Sequence, residues 1–340
     1  MKTSYEAVVD AADAVLRDAG VPGRQNARYT PLAGGTYNTV VRVSLGGERD
    51  WVLKLPPRPG ACLAYEQALL TGEIAFYSAA EAPDSTGIVP RVVAAKTDTG
   101  DDIGPYLLMT ARPGDPWSEV AASLADGERW RLRRELGEIT ARLHTVTGPG
   151  FGYPGQPLGP LAAGWREAFT GMTDAVLHDA ERYAARLPRS VDAIRKVLAA
   201  ASGVLDDVTR PALVHFDLWQ GNLLLAGPPG DRRLSGLIDG ERMFWGDPVA
   251  EFVSLALLAD MEDDQDFLAG YASAGGEADF SDSVRLRLAL YRVYLYLIML
   301  VEVEPRRATP ADRAWAWDRV GPHLVSALDD VEKGLRHGRL

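Results

Sequence analysis

The chain has 340 residues, 46% of them hydrophobic, and a formal net charge of −11 at pH 7. That length is comfortable for two lobes, and that composition excludes a disordered chain. The acidic total argues against general nucleic-acid binding, which needs a basic face. The single cysteine, Cys62, excludes an internal disulfide framework and a cysteine-based zinc site, and fits a reducing cytoplasm.

The first twenty residues carry acids where a signal peptide needs an apolar core, so no export signal is read and a cytoplasmic location is expected. The most apolar run, "VYLYLIML" at 293–300, is too short to span a bilayer and predicts a buried helix.

Residues 4–19 have amphipathic helical spacing, with Ser4 as the candidate N-cap and Gly20 as the stop. The period then changes. "TVVRVSL" and "DWVLKL" read as strands joined by the turn "GGERD", and Gly34 and Gly35 mark a loop ahead of the first. Residues 64–80 return to helical spacing, which puts Leu69, Leu70, Glu73, Phe76 and Tyr77 on one face. "VPRVVAAKTD" and "DIGPYLLMTAR" are further strand candidates.

"PGDPW" at 113–117 punctuates the chain and marks the expected boundary between a β-rich lobe, 1–112, and a helical lobe, 113–340. Helices are expected over roughly 118–146, 160–186, 190–207, 247–259, 263–272, 281–303 and 309–335. "LVHFDLWQGNLLLAG" and "RLSGLIDGERMFWGD" are the only good strand candidates in that half. The fold class read from this order is α+β.

Several common chemistries are absent. There is no G-x-x-x-x-G-K-[ST] loop, no H-E-x-x-H pair and no G-x-S-x-G elbow, and no two of the five histidines share a metal-binding spacing. A dispersed set is present instead. Asp217 and Asn222 flank a turn, and Asp239 ends the next apolar run. A hairpin closed by "GPPGDRR" would bring Asn222 beside Asp239, an oxygen pair suited to Mg²⁺, leaving Asp217 free to take a proton from a hydroxyl. Lys54, inside an apolar strand, must snorkel outward or find anions. Glu73 is its natural partner, with Glu66 as a competitor on the same helical face. A lysine, a carboxylate, metal ligands, an aspartate and a glycine loop are the parts that phosphoryl transfer needs.

On these residues the sequence resembles the aminoglycoside phosphotransferase family, whose fold is similar to that of protein kinases. The family's H-x-D-x-x-x-x-N loop is matched by His215, Asp217 and Asn222, and its metal aspartate by Asp239. The resemblance implies a two-lobed fold and transfer of the γ-phosphoryl of ATP or GTP, with Mg²⁺, to a hydroxyl of a small molecule. It implies Lys54, Glu73, Asn38 and Gly35 as nucleotide-binding residues, and Met109 and Ala111 in the strand that meets the base. It implies that His215 and Asp247 support the catalytic loop.

Two departures stand out: Phe216 replaces the usual glycine, and no aromatic residue follows Asp239. "DLWQGN" is closer to fructosamine kinases. The acceptor expected first is an antibiotic of the aminoglycoside, nucleoside or peptide type, and the alternative is a metabolic sugar, amino-sugar or fructosamine. The acidic run "DMEDDQD" at 260–266 either faces a cationic acceptor or is a solvated loop. Trp219 either shapes the acceptor pocket or anchors the core, and Trp245, Trp315 and Trp317 read as packing residues. A non-catalytic nucleotide-binding module would have lost one of Lys54, Asp217, Asn222 and Asp239, and all four are present.

Overall fold

The computed structural model describes residues 5–32, 38–46, 50–57, 60–81, 87–98, 100 and 102–337. Ser4, Gly34 and Gly35 lie outside the described residues.

The helix α1 (Tyr5–Asp18) packs on a sheet of β1 (Arg28–Pro31), β2 (Thr39–Ser44), β3 (Asp50–Leu55), β4 (Val92–Lys96) and β5 (Tyr106–Thr110). The strand order is β1-β2-β3-β5-β4, and every pairing is antiparallel. Strand periodicity divides the sheet between two cores. Tyr106 and Leu108 of β5 join Leu53, Val41 and Val43 against Val8, Ala12, Val15 and Leu16 of α1. Leu107 and Met109 point the other way, into the larger core with Phe76 and Tyr77 of α2 (Leu69–Ala80). Lys54 follows Leu53, so the same alternation turns it toward α2. A charged residue in this strand is therefore placed by register.

After β5 come β6 (Asp115–Pro116) and α3 (Trp117–Val120), then the long helices α4 (Asp126–Leu143), α5 (Trp165–Arg182) and α6 (Val191–Ala201). Short strands β7 (Ala212–Val214), β8 (Leu223–Ala226), β9 (Arg233–Leu237) and β10 (Phe244–Gly246) follow. The chain ends in α7 (Glu251–Leu255), α8 (Gln265–Ser273), α9 (Asp282–Val301), α10 (Pro310–Trp315) and α11 (Gly321–His337). α9 is buried nearly all round, as a helix apolar on every face must be. The fold is the expected α+β arrangement, with a small antiparallel-sheet lobe and a larger, mainly helical lobe.

The expected helices break where local chemistry overrides periodicity. The stretch 118–146 is interrupted because Leu124 is extended and buries its side chain. The stretch 160–186 starts only at Trp165, since Ala162 is bridged to Phe151. Residues 248–250 form a 3-10 turn, which shortens the helix expected from 247 to Glu251–Leu255. A π turn at Ala316–Val320 divides the helix expected over 309–335. The edge strand β1 was not expected, because its residues are mostly exposed and carry no alternation. Trp315 is exposed rather than packed.

α2 sits against the turn that follows β9 at backbone distance. A Cβ at Gly72 would lie 2.6 Å from the Glu241 carbonyl oxygen, and one at Gly240 would lie 2.4 Å from the Phe76 ring. Gly72→Val should destabilise the chain by about 1–3 kcal/mol, the usual cost of overpacking. Because the displaced turn follows Asp239, activity should fall further than the unfolding midpoint accounts for. A variant with wild-type melting and turnover would show that this close approach is dispensable.

Candidate active site

β7 delivers the chain to His215, and the loop that follows is held by its own backbone. Glu251 at the start of α7 accepts the His215 N–H at 2.7 Å and the Phe216 N–H at 2.9 Å. Ser254 Oγ accepts the Leu218 N–H at 3.1 Å. Phe216 adopts φ +62°, a left-handed conformation that explains why glycine is common there. Its buried ring packs on Phe244 and Tyr294, which offsets the backbone cost.

His215 is fixed in one tautomer. Its Nε2 donates to the Ile238 carbonyl at 3.0 Å, and its Nδ1 accepts the Asp217 N–H at 3.2 Å. Burial holds its pKa below the ordinary histidine value. The imidazole pins the loop to the strand ahead of Asp239.

The β8–β9 hairpin pairs Leu223 with Leu237, and the Ile238 N–H donates to the Asn222 carbonyl at 3.0 Å. Asn222 is thereby placed beside the segment carrying Asp239. Its amide nitrogen donates to the Asp217 carbonyl oxygen at 2.9 Å and to Asp217 Oδ2 at 3.1 Å. The amide carbonyl oxygen is left for another partner.

Burial pushes the Asp217 carboxyl up to about 7; Arg242 opposes the shift, while Asp239 and Glu302 add to it. A carboxyl must lose its own proton before it can accept another. If Asp217 takes the hydroxyl proton, kcat/KM should fall as pH drops through about 7. Between the ordinary carboxyl range and about 7 the folded chain holds a proton that the unfolded chain has released. This group's contribution to stability therefore declines as pH rises across that window. A pH–rate profile flat from 5 to 8 would remove Asp217 from that step.

Lys54, buried, donates to Glu73 at 2.7 and 2.9 Å and also pairs with Asp239. Burial lowers the lysine pKa, but the two carboxylates outweigh it and hold it well above its ordinary value. The competition between carboxylates has a geometric answer. Glu66 accepts the Leu63 N–H and pairs with Arg306, so Glu73 is the lysine's partner. Tyr77, one helical turn beyond Glu73, joins the two halves of the site. Its hydroxyl donates to Glu73 Oε1 at 2.6 Å and accepts the Asp239 N–H at 3.0 Å. Asp239 itself takes φ +65°.

Glu73, Asp239 and Glu241 each place a carboxylate oxygen within 4.8 Å of the others. Asp239 is held below the usual carboxylate range because Lys54 outweighs the effect of burial. Burial, then Asp239, pushes Glu241 up to about 8. Asn38, just ahead of β2, donates to Glu241 at 3.0 Å. An oxygen-only donor set with the Asn222 carbonyl nearby fits a hard divalent cation such as Mg²⁺.

Other expected residues lie elsewhere. Asp247 caps Val249 and pairs with Arg287 and Tyr291, so the direct bracing of the catalytic loop expected of it belongs to Glu251 and Ser254. Met109 is buried in the core beneath β5, and the Ala111 N–H is taken by the Asp50 carbonyl. Sequence reasoning missed Tyr77, Glu241, Glu251 and Ser254 as site residues. For Glu251 the available signal was a carboxylate inside the otherwise apolar "PVAEFVSLALL".

Three of the five acids of the 260–266 run pair with arginines: Asp260 with Arg292, Glu262 with Arg285 and Asp264 with Arg133. Trp219 is 43% exposed, and its indole lies flat over Gly221.

The family model described as "Phosphotransferase enzyme family" matches residues 28–291. The chain belongs to that family. The match contains Lys54, Glu73, Asp217, Asn222 and Asp239, and the phosphotransferase family makes this chain a small-molecule kinase. A nucleotide donor follows from the same membership. None of the curated proteins compared matches the chain.

Solved structures share the fold. A Thermobifida fusca protein assigned as a fructosamine-3-kinase superposes with TM-score 0.66 at 20% identity, over 95% of this chain and 99% of its own. Aminoglycoside phosphotransferase APH(4)-Ia, in a ternary complex with AMP-PNP and hygromycin B, gives TM-score 0.58 at 17% identity, over 92% of this chain and 94% of its own. A choline/ethanolamine kinase family protein from Mesorhizobium loti gives 0.59 at 18% identity, over 97% and 99%. Among the described residues no helix is long and apolar enough to cross a membrane.

Proposed function

We propose that this phosphotransferase moves the γ-phosphoryl of MgATP or MgGTP to a hydroxyl of a small molecule bound between a small lobe, 1–112, and a large lobe, 113–340. The observation that carries the reading is the Lys54 ammonium fixed between Glu73 and Asp239, with Asn222 linking the Asp239 segment to Asp217.

Lys54 binds the inner phosphates, and Glu73, oriented by Tyr77, positions it. Asn222 and Asp239 would hold Mg²⁺, with Glu241 beside them, and the ion would supply positive charge to the phosphates. We assign Asn38 and Gly35 to the phosphates, and Met109 and Ala111 to the base through groups other than the Ala111 N–H, which Asp50 already takes. Asp217 orients the acceptor hydroxyl and takes its proton as the new P–O bond forms and the bond to the leaving diphosphate breaks. Much of the rate comes from placement and electrostatics rather than from a strong base.

The acceptor we would test first is a hydroxylated antibiotic of the aminoglycoside, nucleoside or peptide type, in a resistance role. The hygromycin B complex of a similar fold supports that choice. The second reading is a sugar, amino-sugar or fructosamine acceptor, supported by "DLWQGN" and by the exposed Trp219 ring two residues from Asp217.

A coupled nucleotide-consumption screen over antibiotics and sugars, run with ATP and with GTP, tests the reading. Acceptor-dependent consumption is expected in one chemical class. Tight nucleotide binding with no transfer to any acceptor would instead favour a binding module.

A further inference from the structure

One side of Asp217 is built from charged groups that phosphoryl transfer itself does not call for. Arg242, in the turn after Asp239, is 12% exposed at its side chain and donates to Glu302 at 2.9 Å. Glu302, just past α9, also holds Arg306 at 3.1 Å, and Arg306 reaches Glu66 at 2.5 Å. The resulting ladder is Arg242–Glu302–Arg306–Glu66. It joins the metal turn and the end of α9 to residues 64–68 ahead of α2.

An aromatic column stands beside it. Tyr65 stacks on Tyr153, the Tyr153 hydroxyl bonds the Tyr294 hydroxyl at 2.6 Å, and Tyr294 packs on Phe216 of the catalytic loop. Arg242 is the hub, within electrostatic reach of Tyr65, Glu302, Asp217 and Glu66.

The open hydrogen-bonding capacity of this cluster leans toward donors. Both of its ladder carboxylates are already paired. Of the cluster's buried atoms left without partners, Arg306 Nε is a donor and Tyr65 OH can donate or accept. Among the described residues the Arg242 side chain makes one hydrogen bond, through Nη2, and a guanidinium has five N–H groups. A buried donor without an acceptor is destabilising. A partner that relieves it must bring accepting oxygens, and a guanidinium matches a carboxylate or phosphate in shape and charge. A cationic group at the same place would meet two arginines. The acidic run at 260–266, the other candidate for attracting a cation, has three of its five acids paired with arginines.

We infer that the acceptor carries an anionic oxygen group, a carboxylate or a phosphate, close to its reactive hydroxyl, and that Arg242 selects it. This rests on the kinase reading above, and it narrows the acceptor class away from the polycationic aminoglycosides and toward acidic sugars and sugar phosphates. Tyr65 adds a neutral donor, and the Glu302–Arg306–Glu66 ladder keeps the Arg242 head from turning away.

The test uses the full chain loaded with MgADP and three probes that share a sugar ring: D-glucuronate, D-glucose 6-phosphate and D-glucosamine. Calorimetry should show at least one of the anionic sugars binding tenfold or more tighter than glucosamine. Arg242→Gln should abolish that preference, and Arg242→Lys should restore part of it, which separates lost charge from a folding defect. Preference for glucosamine, no preference, or a preference that survives in Arg242→Gln would overturn the inference. Failure of the kinase reading looks different: the anion preference would persist while no acceptor ever received phosphoryl.

Discussion

Asp217→Asn should lower turnover on the order of 10²–10⁴-fold, the range for losing a positioned acid–base group. Nucleotide affinity should stay within about threefold, because that interaction is assigned to Lys54 and the metal ligands rather than to Asp217. The asparagine keeps the size of the side chain and removes its ability to take a proton. The Asn222 amide currently donates to Asp217 Oδ2 at 3.1 Å, and the substituted side chain can still accept there through its carbonyl oxygen. Loop geometry is therefore preserved, and the loss is chemical. Single-turnover kinetics beside a nucleotide titration separate the two. Equal losses in affinity and turnover would point to a collapsed loop instead.

The second large effect concerns stability. Glu251 is fully buried and accepts two consecutive backbone N–H groups of the catalytic loop. Glu251→Ala leaves both donors without an acceptor inside the protein. At about 1–3 kcal/mol for each unsatisfied group, the loss should be about 2–6 kcal/mol. Turnover should fall with it, because the same two N–H groups set the φ +62° bend at Phe216 that aims Asp217.

Burial pushes the Glu251 carboxyl up, but His144, His215 and the donated N–H groups outweigh it and hold the pKa below the ordinary value. Its contribution is therefore present above the unfolded carboxyl value and lost as pH falls through the folded one. Urea unfolding at neutral pH and again near pH 4 checks both points. Wild-type stability in Glu251→Ala would mean that water replaces the carboxylate freely.

These two residues mark how far the sequence could be read. Asp217 was legible because Asn222 and Asp239 lie on one predicted hairpin, so short-range spacing brought them together. Lys54 and Glu73 were legible because each is a charge on an apolar face, and a buried charge requires a partner. Glu251 carried the same kind of signal, a carboxylate in an apolar run, but its partners are backbone groups 35 and 36 residues earlier, which no side-chain pattern marks. The Arg306–Glu66 pair spans 240 residues and left no local trace. Asp247 was placed beside the catalytic loop by resemblance, while its carboxylate is taken by Arg287 and Tyr291 of α9. The small sheet and the long helices followed from periodicity. The helix breaks near Leu124 and at Ala316–Val320 did not, because they depend on what the neighbouring elements bury.

The central claim is that the groups gathered around Lys54 and Asp217 move a phosphoryl group onto a hydroxyl. The most direct measurement follows the γ-phosphoryl itself. Nucleotide labelled in that position is incubated with the full chain, Mg²⁺ and the acceptor found by screening. The account predicts label recovered on the acceptor as a phosphate monoester, and almost none with Asp217→Asn. Label released only as inorganic phosphate, or transferred at the same rate by the variant, would contradict it.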